Sequence, residues 1–286
     1  MQFTSNEALL LTRKAVRGQL AAMGGSAFEL GVLRADGTMV LRAPVASRFV
    51  AKALAWLRHE NACGGHIFVR PAGLSPLVLV DDLGAEAVAV MKRTGFEPAV
   101  LVETSPGNFQ AWLKHEQPLE RAVATEVARA LAQRFGGDLS SASWRHFGRL
   151  AGFTNQKPSR RLASGLAPFV LLREAQGGIF TAAAWFRREA ERRVEQARRQ
   201  RASWCRNVSL RVCGTGRSLL DFHRDPRYAG DLHRADMAWA AAAARRGLSA
   251  DEISATLFAG RDLSKKGSVI RQLAYAERTA LKAISN

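Results

Sequence analysis

"LVLVDDLGAEAVAVMKRTGFEPAVLVETSPGNFQAW", residues 77–112, places two neighbouring aspartates, Asp81 and Asp82, at the end of an apolar run. A helical pattern follows near 85–94. A second apolar run at 99–103 then meets a polar, glycine-bearing turn, and a further strand pattern begins at 108. Steps this short between strand patterns read as hairpins. They predict an α+β, mixed-sheet core and argue against a doubly wound parallel sheet. Adjacent carboxylates repel each other, so the same stretch calls for something positive nearby.

Outward from this stretch the alternation continues. Residues 5–24 carry apolar positions at helical spacing, with Ser5 as an N-cap. Residues 27–43 read as a hairpin turning at Asp36-Gly37, and 44–62 as a helix with Pro44 at its start. Further strands are expected at 66–70, 108–114 and 168–174, and a long amphipathic helix at 119–135. Beyond the last strand the character changes. Residues 181–202 form a helix with seven arginines against three glutamates, and the patterns near 230–247, 249–259 and 267–285 are all helical. The expected organisation is a mixed domain over 1–178, a basic connecting helix over 179–205, and a small all-α domain over 206–286.

The chain of 286 residues carries 42 Lys+Arg against 25 Asp+Glu, a net charge of +17. Such a balance points to a polyanionic partner, and nucleic acid fits best because neutralised phosphates release counterions. A membrane surface is the other candidate. However, no apolar stretch reaches the roughly 18 to 20 residues that span a bilayer, and no secretory pattern is evident. Cys63, Cys205 and Cys213 are scattered and suggest neither a disulfide nor a zinc framework. The expectation is a cytoplasmic protein without a membrane partner.

Asp81 and Asp82 could simply cap the helix that follows. A third acid, Asp138, changes the balance. It opens a loop-like segment, "FGGDLSSASWRHFGRLAGFTNQK" (135–157), rich in Gly, Ser, Arg and Asn. Loops of that composition more often bind than pack. Three aspartates converging on one spot would offer oxygen ligands for Mg²⁺ or Mn²⁺.

The blocks "FVRPAGLSPLVLVDDL", "EPAVLVETSPGNFQAW" and "SWRHFGRLAGFTNQKP" together resemble the plasmid RepB-type DNA primases of the archaeo-eukaryotic primase superfamily. The resemblance covers residues 10–175. It extends more loosely to "RADMAWAAAAARRGLSADEI", which is similar to that family's helix bundle. It implies an archaeo-eukaryotic-primase-like, RRM-like mixed-sheet catalytic core followed by a helical-bundle domain. It also implies primer synthesis on single-stranded DNA from nucleoside triphosphates by two-metal-ion nucleotidyl transfer. By the same resemblance Asp81, Asp82 and Asp138 are the catalytic, metal-binding acids. Ser105, Asn108 and Gln110 stand where many relatives carry a Ser-x-His nucleotide motif, and Arg145, His146, Arg149, Asn155 and Lys157 face triphosphate or template. The superfamily commonly spaces its acids Asp-x-Asp. Adjacent aspartates on an ideal strand point to opposite faces, so either the strand ends by Asp82 or only one of the pair binds metal directly.

Arg70, just after a strand, could reach a phosphate. Arg187, Arg192 and Arg199 could hold DNA, or they could be a solvated helix face. His59, His66 and His115 lack metal-ligand spacing and read as surface or hydrogen-bonded side chains; Trp112 reads as core. A replicative helicase is an expected further partner. The alternative function is a single-stranded nucleic-acid-binding replication module without activity. A relaxase would need a nucleophilic tyrosine and paired histidines. The two tyrosines, Tyr228 and Tyr275, lie in the helical region and no His-x-His occurs.

Overall fold

A computed structural model describes residues 5–46, 50–211, 217–228 and 230–285. The chain divides into two compact units, residues 1–194 and 195–286. The first unit holds helices α1 (Ser5–Met23), α2 (Val50–Ala62), α3 (Ala85–Arg93) and α4 (Arg121–Phe135), and the first part of α5 (Ala183–Arg211). Its strands are β1 (Ala27–Leu33), β2 (Met39–Ala46), β3 (His66–Pro71), β4 (Leu77–Gly84), β5 (Val100–Ser105), β6 (Asn108–Lys114), β7 (Gly148–Arg149) and β8 (Leu171–Ala175).

These strands form two four-stranded sheets, ordered β2-β1-β3-β7 and β4-β6-β5-β8. Every ladder between them is antiparallel, and an isolated parallel bridge joins Lys114 to Ile179. The expected α+β class holds.

The run Leu77–Val80 is continuously apolar because its sheet is covered on both faces. Val78 and Val80 pack with Met91, Val127 and Leu131 under the helices. Leu77 and Leu79 pack with Phe28, Leu30, Val69 and Trp112, towards the other sheet. Each such side chain contributes about 1.5–3 kcal/mol by leaving water. The Asp36-Gly37 hairpin forms as expected, with Asp36 Oδ1 accepting from the Thr38 N–H at 2.8 Å. Trp112 is core, as read.

The helix expected from Pro44 does not start there. Pro44 lies in β2, at an irregularity in its pairing with β1, and α2 begins at Val50. Proline suits either a first helical turn or a bulged edge strand, and β2 is an edge strand. Residues 47–49 and Cys213 lie outside the described residues.

The second unit contains α6 (Leu219–His223), α7 (Leu232–Arg245), α8 (Ala250–Gly260) and α9 (Val269–Ile284) around Trp239, Ile253, Leu257 and Tyr275. Ser218 with Asp221, and Ser249 with Glu252, form capping boxes that start α6 and α8. Buried Asp236 accepts from Tyr275 Oη at 2.6 Å, lies 2.8 Å from His223 Nε2, and pairs with Arg261. Among the described residues, no helix is long and apolar enough to cross a membrane.

Candidate active site

On β4, Val80 pairs with Ala111 and Leu83 with Phe109, so Asp81 and Asp82 together face the single residue Gln110. This is a β-bulge, and its backbone at Asp82 is left-handed, with φ of 60°. Among the described residues, Asp82 alone combines a side chain with positive φ. Aspartate tolerates that region better than most residues, at some cost.

The bulge resolves the problem of adjacency. Asn108 and Gln110 alternate on β6 and so share one face. Asn108 Nδ2 donates to Asp82 Oδ1, and Gln110 Nε2 donates to Asp81 Oδ1 at 2.9 Å. Both carboxylates therefore turn to the same side, and the strand continues past them to Gly84. They do not cap α3, whose N-cap is Gly84 with no side-chain bond.

Asp138 arrives from the other direction. Helix α4 ends at Gly136 in the left-handed conformation, and the chain then presses against β4. The Asp138 N–H donates to the Asp81 carbonyl at 3.0 Å. A Cβ on Gly137 would stand 2.8 Å from both that carbonyl oxygen and Val80 Cγ1, so only glycine permits the approach.

The carboxylates already have partners. His146 Nε2 lies 3.1 Å from Asp81 Oδ2, and the Asp82 N–H donates to Asp81 Oδ1 at 2.7 Å. Burial opposes ionisation of Asp81, yet the bonds from His146 and Gln110 outweigh it and hold its carboxyl below the usual value. Asp138 is also held low, chiefly by the Ser140 hydroxyl at 2.7 Å, while the nearby charge of Asp81 pulls the other way. Asp82 is more than half exposed, and Arg160 approaches it at 3.4 Å.

Among the described residues, no three His, Cys, Asp or Glu side chains close into a metal cage. The acids nevertheless fit a hard divalent cation in donor chemistry: Asp81 and Asp82 turn to one face, and Asp138 is tied to the Asp81 backbone beside them.

The positive side of the site is Arg149, on β7. Its guanidinium lies over the Phe68 ring at 4.6 Å, and Nη1 donates to His66 Nδ1 at 2.6 Å. Burial pulls Arg149 down to about 10, with Asp81 opposing the shift. Burial first, then the charges of Arg149 and Lys157, push His66 down to about 4. His66 is thus a neutral acceptor whose proton sits on Nε2. The sequence read His66 as a surface or hydrogen-bonded side chain; its partner could not be named there, because the contact joins residues far apart in the chain. Among the described residues, Arg149 has no carboxylate partner within ion-pair distance.

Gln110 also accepts from the Arg149 N–H at 2.7 Å, linking the acidic and basic halves. Asn155 is buried, and both ends of its amide are engaged, by the Thr104 carbonyl at 2.8 Å and the Lys157 N–H at 3.2 Å. Asn108 Oδ1 accepts from Thr104 Oγ1 at 2.8 Å. Ser105 is buried, and its hydroxyl has no partner among the described residues. Arg70 is held by Glu29 at 2.9 Å and by the Arg145 carbonyl at 2.5 Å. On α5, Arg187 pairs with Glu191, Arg192 with Glu189 and Arg199 with Glu195, each within the helix.

The family profile described as the RepB DNA-primase N-terminal domain matches residues 30–195. The chain is 35% identical over 286 residues to Mobilization protein A of Escherichia coli, covering 96% of this chain and 40% of that protein. It therefore spans less than half the length of that relative. Among solved structures, primase RepB′ superposes with a TM-score of 0.66 at 36% identity, over 96% of this chain and 95% of the other. The catalytic domain of primase RepB′ in complex with initiator DNA gives 0.61 at 41% identity, over 66% of this chain and 98% of the other.

Proposed function

The chain belongs to the RepB DNA-primase family, and from that premise we propose that it synthesises short primers on single-stranded DNA, in the cytoplasm, during plasmid or mobile-element replication. The observation that carries this reading is the bulge that turns Asp81 and Asp82 to one face, with Asp138 bonded to the Asp81 carbonyl and a half-buried, carboxylate-free Arg149 nearby. That is an acidic centre beside a cation that lacks an anion. A divalent cation would answer the carboxylates, and a nucleoside triphosphate would supply the anion that Arg149 lacks.

Asp81, Asp82 and Asp138 would hold Mg²⁺ or Mn²⁺, which in such a site favours the deprotonated hydroxyl and neutralises the leaving pyrophosphate. Arg149 offers a planar fork to phosphate oxygens, aimed in advance by Phe68 and His66. His66 contributes by staying neutral, since a protonated imidazole would repel the guanidinium. Lys157 adds a point charge close enough to depress His66. Gln110 sets the spacing between Asp81 and the Arg149 backbone, and His146 orients Asp81 through Oδ2. The arginines of α5, Arg187, Arg192 and Arg199, would add to a field that retains the template, while Arg70 holds the 145–149 segment in place.

The test is incubation with single-stranded DNA, labelled nucleotides and Mg²⁺ or Mn²⁺. Short oligomers are expected from the wild type and none from Asp81→Asn, Asp82→Asn or Asp138→Asn. Arg149→Lys should raise the nucleotide KM with little change in template affinity, because it replaces a fork by a point charge. Wild-type synthesis by all three aspartate variants would exclude this mechanism and favour a binding module without activity.

A further inference from the structure

Next to the acidic centre lies a narrow recess, open to solvent, walled by Trp144, Trp112 and Leu74 and by the cations Arg70 and Arg121. His146, the partner of Asp81, lines it too, so the two sites share a wall. Trp144 is half-buried, and two guanidinium groups lie over its ring, Arg121 at 4.4 Å and Arg145 at 5.1 Å. Neither arginine has a carboxylate partner among the described residues. Leu74, at the mouth, is an exposed apolar side chain. An aromatic ring that packs on the core on part of its surface and carries two unpaired guanidinium groups on it, beside a recess, has the composition of a platform for a base and its phosphates.

Resting on the primase reading above, we infer that this recess receives a base of the single-stranded DNA, stacked on Trp144, with Arg121 and Arg145 moving from the ring onto the flanking phosphates. A base of a free nucleoside triphosphate would share the stacking chemistry. The strand is favoured because the recess is not lined by Arg149 or Lys157, the cations suited to a triphosphate. Arg121, which lines it, and Arg145 beside it instead lie over the ring as two separate groups, as a chain of separate phosphates requires.

Labelled oligothymidylate binding, measured by anisotropy, and ATP binding, measured by calorimetry, separate the two sources. Trp144→Ala and Trp144→Leu should each weaken oligothymidylate binding by about tenfold, the worth of one stacked base, whereas Trp144→Phe keeps most of it. Arg121→Gln should also lower the log–log salt slope by about 0.7. ATP affinity should not change in any of them. Loss of ATP affinity with intact DNA binding would assign the recess to the free nucleotide and overturn the inference. Unchanged DNA binding in folded Trp144→Leu would reduce the aromatic–arginine cluster to packing, again overturning it. Wild-type primer synthesis is scored separately. Its absence would count against the previous subsection, whereas DNA binding insensitive to Trp144 in a protein that makes primers would count against this one alone.

Discussion

Gln110 donates to Asp81 at 2.9 Å from the same amide that accepts the Arg149 backbone N–H at 2.7 Å, so one buried side chain ties a carboxylate to the strand that carries the cation. Gln110→Leu keeps the volume and removes both bonds. It is expected to lower primer synthesis by about 10–100-fold, as loss of an outer-shell partner does. Thermal unfolding should show a cost of about 1–3 kcal/mol for the unsatisfied backbone group. A fully active Gln110→Leu protein would mean that the amide only fills space.

The backbone at Asp82 allows stability to be separated from activity. In an ordinary strand glycine is less stable than alanine by about 0.5–1 kcal/mol. At φ of 60° the order should invert, with Asp82→Gly melting above Asp82→Ala. Both should be inactive. Calorimetric melts of the pair decide the point, and alanine melting higher would contradict the left-handed assignment.

Neighbouring glycines should behave differently. At Gly137 an added methyl meets the Asp81 carbonyl and Val80 at 2.8 Å, and at Gly136 it meets nothing within 4 Å. Gly137→Ala should displace Asp138 and cost about a hundredfold in synthesis, with about 1–3 kcal/mol of overpacking. Gly136→Ala, strained only in its backbone, should lose about 1 kcal/mol and keep its activity. Equal activity of the two variants would remove Asp138 from the reaction.

Two histidines give the fold an acid limit. Burial holds both His66 and His115 down to about 4 from an ordinary 6.5. The folded state keeps them neutral while the unfolded chain takes up protons below 6.5. Their stabilisation is therefore fully present above pH 6.5 and is lost as pH falls towards 4. Urea titrations at pH 7 and 4.5 should show the loss, and His115→Gln should narrow the difference. Identical stability of the wild type at both pH values would refute the assignment.

Much of this architecture was legible in the sequence. The strands around residues 66–70, 77–81 and 108–114, the Asp36-Gly37 turn and the α4 helix all rest on local periodicity and turn chemistry, which a single chain displays. Pro44 was misread because proline serves a helix start and a bulged edge strand equally well. β7 and α6 are too short to show a period. The acids could be found through a resemblance, but the bulge that aligns them could not, since it depends on which β6 residue stands opposite. The His66–Arg149 contact spans 83 positions and leaves no local signal. The stripe of Arg187, Arg192 and Arg199 was read as a DNA contact or a solvated face; its pairing with glutamates three or four positions away was not read.

The segment from Asp138 to Arg149 begins bonded to Asp81 in one sheet and ends as β7 in the other. It is therefore a tie-rod between the two layers of the core. Any sliding of one sheet over the other would change the separation between the carboxylates and the Arg149 guanidinium. Core substitutions between the layers, at Leu79 or Val69 for instance, would thus register as changes in catalytic rate while leaving every side chain of the site intact.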